Sequence, residues 1–176
     1  MRTFKIIACN NIPVENDWQQ QLVTLLGSKP RRLSRWCELG LWGALSCLAR
    51  SDQRLGDEVA IRVYSELGTM KVTQLAIAQA REHLPMPFTF MQTQPGQLFN
   101  AFGSALNWHG DGAIVAANTR QNAETLLLQE QIVLVAWVDE TPQPVSRWLW
   151  LQSADVEELA WQPLPSLFQT SPTAQW

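Results

Sequence analysis

Charge is what this sequence has least of. Only 16% of its 176 residues are Asp, Glu, Lys or Arg, against about a quarter in an ordinary soluble domain. The formal net charge is −3. So little charge leaves an unusual share of the surface apolar or uncharged, which favours a buried partner interface over a free monomer. The weak acidity argues against a nucleic-acid binder, because the basic cluster of Arg31, Arg32 and Arg35 is local.

Catalytic and metal signatures are also missing. No HExxH, GxSxG, paired CxxC or EF-hand pattern occurs, and the SELG turn after Tyr64 lacks the glycines and the Lys-Ser/Thr of a phosphate-binding loop. Cys9, Cys37 and Cys47 have no metal-ligand spacing, and each stands in an apolar periodic stretch. They read as small core residues in a reducing cytoplasm. No cofactor is implied. The apolar runs fall far short of the roughly 20 residues that cross a bilayer, and MRTFKIIAC is too short for a signal segment with its flanks. The chain is therefore expected to be soluble and cytoplasmic, without a membrane span. The two histidines, His83 and His109, titrate in a range suited to a general base. Their places at a helix end and beside a turn suit ordinary hydrogen bonding equally, and Asp111 between two glycines reads as a turn residue.

What is present is apolar and periodic. Hydrophobic residues make up 46%, including nine tryptophans, of which Trp36 and Trp42 fall in one helix and Trp148 and Trp150 on one face of a strand. They read first as core filling, with an apolar interface as the alternative. Thr3 to Cys9, Glu58 to Tyr64, Ala113 to Ala117, Ile132 to Val138 and Arg147 to Gln152 read as strands. Trp18 to Leu26, Arg32 to Ala49, Met70 to His83, Gln97 to Leu106 and Asn122 to Gln131 read as helices, with Pro85 and Pro87 closing the third. Gly40, Gly43 and Ala44 let another backbone approach the second helix, which should pack on more than one side. The order predicts an α/β fold: a mostly parallel five-stranded sheet with helices on its faces. Residues 1–152 form the domain and 153–176 an irregular tail.

Within that order, GDGAIVAANTRQNAETLLLQ (Gly110 to Gln129) reads as a buried strand running through a tight elbow into a helix. Asn118, Thr119 and Arg120 occupy the elbow. Such elbows present nucleophiles in several enzyme folds, yet this one has neither cysteine nor serine.

Three segments in order, VAIRVYSELGTM, FTFMQTQPGQLFNAFGSALNWHGDG and AIVAANTRQNAETLL, resemble the amino-terminal half of a β-ketoacyl synthase. That family has a strand into a glycine-rich turn, then FxxxMxxPNxxAGxxSxxLGLxGP, then a strand ending in T-A-C, whose cysteine receives the acyl chain. The resemblance covers about residues 30–140 with few identities, and RRLSRWCELGLWGALSCL is similar to a helix of ketosynthase-like domains of aryl-polyene and related type II systems. In register from Gly110, the family's cysteine position falls near Thr119. The length leaves no room for the carboxy-terminal half that brings two histidines. The resemblance thus implies a thiolase-like half-fold and a non-catalytic, chain-length-factor-like subunit that heterodimerises with an active β-ketoacyl synthase and transiently meets acyl carrier protein. It also implies an interface along Ala113, Ile114, Val115, Ala116 and Ala117, continuing to Asn118, Thr119 and Gln121. Phe99, Phe102 and Leu106, one helical stripe nearby, are candidates for an acyl-tunnel wall or for plain core. The residues leave two other readings open: a small acyl-thioester-acting enzyme using Cys9 or His109, or a carrier-protein-binding module using Arg31, Arg32 and Arg35.

Overall fold

The structure, a computed structural model, describes residues 3–84, 86–116 and 131–154. The elements are β1 (Thr3–Asn10), α1 (Trp18–Leu26), α2 (Arg35–Leu48), β2 (Ala60–Ser65), α3 (Met70–Arg81), α4 (Pro87–Gln92), α5 (Gln97–Leu106), β3 (Gly112–Ala116), β4 (Ile132–Asp139) and β5 (Val145–Ala154). The strands form one five-stranded sheet in the order β1-β5-β4-β2-β3. β2 lies parallel to both β3 and β4, while β5 runs antiparallel to β4 and to β1. The expected α/β sheet is thus present but mixed. Its antiparallel part follows from chain length: only residues 140–144 join β4 to β5, and a parallel return needs a crossover of about a dozen residues.

Local chemistry accounts for most boundaries. Gly27 ends α1 in the left-handed region at φ 71°, where a side chain would be strained. Helix α2 begins three residues later than its apolar periodicity suggests. Arg32 takes φ 65°, which no helix tolerates, and Ser34 then caps the helix, its Oγ accepting the Cys37 amide at 3.1 Å. Helix α4 was not legible as an element. Pro87 reads as a stop for α3, yet it occupies the first turn of α4, where its missing N–H costs nothing.

Nine of the fourteen α2 residues are buried, and the helix does pack on two sides. On one side a Cβ at Gly40 would lie 3.0 Å from Leu98 of α5. On the other, a Cβ at Gly43 would lie 2.6 Å from the Trp148 ring of β5 and would overlap Ser146 Oγ. Only glycine allows that approach.

Helices α1, α2 and α5 cover one sheet face, burying Trp18, Trp36, Trp42, Phe102, Trp148 and Trp150 with the inward residues of β2 and β4. Core filling is what the six buried tryptophans of the described residues do, Trp108 among them being the loop residue before β3. Here the strand pattern alternates: Ile61 and Val63 face the helices, whereas Ala60 and Tyr64 join Phe4, Val133, Val135, Leu149 and Leu151 on the opposite face. That second cluster consists of strand residues alone among the described residues.

Candidate functional site

Strand β3 stands at an edge of the sheet. It pairs with β2 from Ile61 opposite Gly112 to Ser65 opposite Ala116, and among the described residues no strand lies on its outer side. The Ile61 amide donates to the Asp111 carbonyl at 2.9 Å. By the alternation of a parallel ladder, the amides of Ala113 and Val115 then turn toward β2, and those of Ile114 and Ala116 turn outward. The strand carries no charge: GAIVA, half-buried except for exposed Ala116. The other edge is unlike it. β1 places Lys5 on the strand and its register slips between Ile6 and Ala8, both devices that discourage another strand from adding.

The start of β3 is pinned from several directions. Arg62, buried on β2, forms an ion pair with the Asp111 carboxylate and donates from Nη1 to the Asp111 carbonyl at 3.2 Å. Asp111 therefore anchors β3 to β2 as well as sitting in a turn. Trp108 Nε1 donates to the Val59 carbonyl at 3.0 Å, and the His109 amide donates to Asp57 Oδ1 at 2.7 Å. A Cβ at Gly112 would lie 2.8 Å from the Phe99 ring, so the strand lies directly against α5.

On α5, Phe99, Phe102 and Leu106 do share a stripe, but they differ in setting. Phe102 is fully buried, its ring edge-on to Trp108 at 6.3 Å and to Trp148 at 5.8 Å. Phe99 is half-buried between Phe102, Trp108 and Gly112, with ring centroids 6.4 and 6.0 Å from the first two. Leu106 is half-buried against the same core. The structure thus brings Phe99 to the β3 edge and places Phe102 in the packed interior behind it. Ala117, Asn118, Thr119 and Gln121, and all of the helix expected over 122–131 except Gln131, lie outside the described residues.

The candidate reactive groups are dispersed. Cys37 and Cys47 are buried, and burial pushes their thiols up to about 11 and about 12. Thiols held that high stay protonated near neutrality and react poorly. Cys9, expected in the core, is exposed instead: on edge strand β1 its side chain faces away from the helix layer that buries Ala8. His109 adjoins the far edge of the sheet, four strand spacings or about 19 Å from β1. His83 closes α3 at φ 56°. Cys9 adds to the rise at Cys47 by its own charge, second to burial. Among the described residues no cluster of His, Cys, Asp and Glu could hold a metal ion, and no helix is long and apolar enough to cross a membrane.

One polar network escaped sequence reading. Asp139, buried at the end of β4, accepts from Ser65 Oγ at 2.6 Å and from the amides of Glu66 and Leu67 at 3.3 and 3.1 Å. Ser65 Oγ accepts the Gly68 amide at 2.7 Å, and Trp36 Nε1 donates to it at 3.2 Å and to the Val138 carbonyl at 2.9 Å. The SELG turn is therefore saturated by Asp139 and Ser65. The network locks the C-terminal ends of β2 and β4 together, beside the end of β3. Its only signal in sequence is a polar residue closing each of two apolar strands.

This mixed sheet, with its helix layer, has the thiolase-like α/β fold of ketosynthases and chain length factors. One solved structure with this fold is the complex of the ketosynthase ApeO with its chain length factor ApeC from Xenorhabdus doucetiae, at a TM-score of 0.60 and 19% identity, covering 88% of this chain and 80% of the matched one. Another is the ishigamide ketosynthase/chain length factor, at a TM-score of 0.62 and 11% identity, covering 92% of this chain and 64% of the matched one. No protein-family model matches the chain, and no curated protein sequence does.

Proposed function

We propose that this chain is a non-catalytic, chain-length-factor-like subunit that heterodimerises with an active β-ketoacyl synthase in type II polyketide or aryl-polyene biosynthesis. The observation that carries the reading is β3: an uncharged strand on the edge of this fold, with the amides of Ile114 and Ala116 turned outward. An unpaired strand edge is a template for a partner's strand, and natural proteins blunt such edges unless they use them. β1 is blunted, and among the described residues β3 is not. The names of both structural neighbours join a ketosynthase to a chain length factor, which agrees with a heterodimer.

The non-catalytic part of the reading rests on the sequence, in which no cysteine follows Cys47 and Thr119 stands near the family's nucleophile position. The subunit stabilises its partner and borders the acyl tunnel through Ala113 to Ala117 and the elbow residues Asn118, Thr119 and Gln121. Phe99, half-buried against Gly112 of β3, and Leu106, half-buried against the same core, are the side chains that bound the tunnel, with Phe102 supporting them from the core. Acyl carrier protein is a transient third partner.

Co-expression tests the reading. The chain produced with a panel of type II β-ketoacyl synthases should co-purify with one of them at one-to-one stoichiometry and raise that synthase's soluble yield. A chain that stays a monomer beside every synthase, or that hydrolyses acyl thioesters alone, would sink it.

A further inference from the structure

The side chains of β3 do not by themselves fix how the strand lies. After Gly112 they run Ala113, Ile114, Val115, Ala116, two small residues flanking two β-branched ones. Strand register is normally set by hydrophobic alternation, and a shift of one residue exchanges the two faces. Ile114 packs with the helix-side core and Val115 with the opposite cluster. Exchanging them loses little burial. It would, however, turn the amides of Ala113 and Val115 outward in place of those of Ile114 and Ala116. Gly112 opposes the shift, because a Cβ at its position would lie 2.8 Å from the Phe99 ring. That bar is soft, since the ring of a half-buried side chain can turn aside.

The firm constraint is Arg62. β2 is buried along its whole length, and Arg62 is the one charged residue in it. Arginine is rarely so buried unless it is paired. Its Nη2 meets the Asp111 carboxylate, and its Nη1 donates at 3.2 Å to the Ile61 carbonyl and at 3.2 Å to the Asp111 carbonyl. One guanidinium thus bridges the backbones of β2 and β3 beside their first ladder pair, Ile61 opposite Gly112. The fork fits a single residue of the incoming chain. Gly110 and Gly112 flank Asp111, so a shifted strand would bring a glycine to the guanidinium and take the carboxylate away from a buried charge. That costs far more than exchanging isoleucine with valine.

We infer that Arg62 is a positioning residue: with Asp111 it sets the register of β3, and so decides that the amides of Ile114 and Ala116 face outward for a partner's strand. The consequence for pairing rests on the proposed function; the register does not.

Hydrogen exchange followed by NMR on the isolated full chain tests the register, and the affinity for the synthase that co-purifies with wild type tests the consequence. In wild type the amides of Ala113 and Val115 should exchange about tenfold or more slower than those of Ile114 and Ala116, after correction for intrinsic rates. R62M keeps an apolar side chain of similar length in the core. D111A alters a side chain that is 75% exposed, and it decides the outcome if R62M does not fold. Each variant should bring the two pairs of amides within about threefold of each other and weaken the complex about tenfold or more in Kd, as two displaced backbone hydrogen bonds would. R62M/D111A should match R62M, because the two side chains act as one unit. R62K should not restore the alternation, since an ammonium lacks the fork. Variants that keep the wild-type alternation, or a wild type without it, overturn the inference, and the functional reading stands if the wild-type complex forms. Lost alternation with Kd within about threefold of wild type also overturns it, because register would then not govern pairing. If the variants lose the alternation but wild type binds no synthase, the functional reading fails and the register lock stands.

Discussion

At the scale of single residues, burial separates what the sequence leaves equivalent. Phe99 and Phe102 stand three apart on one helical stripe, but only Phe102 is sealed by Trp108 and Trp148. F102A should lower stability by about 3–5 kcal/mol, read by denaturant unfolding, and leave product length unchanged in the complex. F99A should cost less and lengthen the product; equal product lengths would remove Phe99 from the tunnel wall. The thiols give a pH prediction. Cys37 and Cys47 have folded values near 11 and 12 against an ordinary 9.0, so folding favours their protonated forms. Their contribution to stability is full below about 9 and is lost as pH rises through 11 to 12. Thiol reagents at pH 7.5 should label exposed Cys9 alone in the native protein and all three cysteines after unfolding. D139A leaves two amides and the Ser65 hydroxyl without their acceptor. A loss of about 1–3 kcal/mol in a thermal or denaturant melt is expected.

Among the elements, β3 and α2 carry opposite demands. β3 must keep its outer ladder positions free, so A116P removes an outward amide from an exposed site without touching the bonds to β2. The isolated variant should melt with wild type and fail to co-purify with the synthase. A variant that still forms the complex would show that β3 does not pair across the interface. α2 must keep its inner face small. G43V drives a side chain into Trp148 and Ser146 and should destabilise by about 1–3 kcal/mol, with no separate effect on binding once the loss of folded protein is counted.

For the whole molecule, the low charge and the exposed apolar residues of α3 and α4 agree with the proposed heterodimer. Partner binding to the folded state alone should raise the chain's apparent stability by about 2.7 kcal/mol when the synthase is at 100 times Kd. T119C in the assembled complex should not create a second condensing centre. Under the proposed function no histidine is expected to activate a new thiol: the sequence holds two, His83 after α3 and His109 before β3, neither next to position 119 in the chain. Acylation of that cysteine by an acyl-carrier substrate, followed by condensation, would refute the non-catalytic reading.

Much of this was set by sequence alone, where the cause is local. Periodicity located α1 and α5 to the residue, Gly27 closed α1, and the apolar runs located β2, β4 and β5 within a few positions. A helix of six residues such as α4 is too short to show a period, and Pro87 signals a stop and a start equally. Sequence also showed that neither cysteine nor serine stands among residues 118–121, because a missing residue type needs no coordinates. Tertiary structure alone decided which apolar segment is core and which is surface. GAIVA reads like a central strand, and the α3 periodicity reads like a buried face. Whether such a segment is covered depends on strand order and on where a helix leaves the sheet, which are contacts between residues distant in sequence.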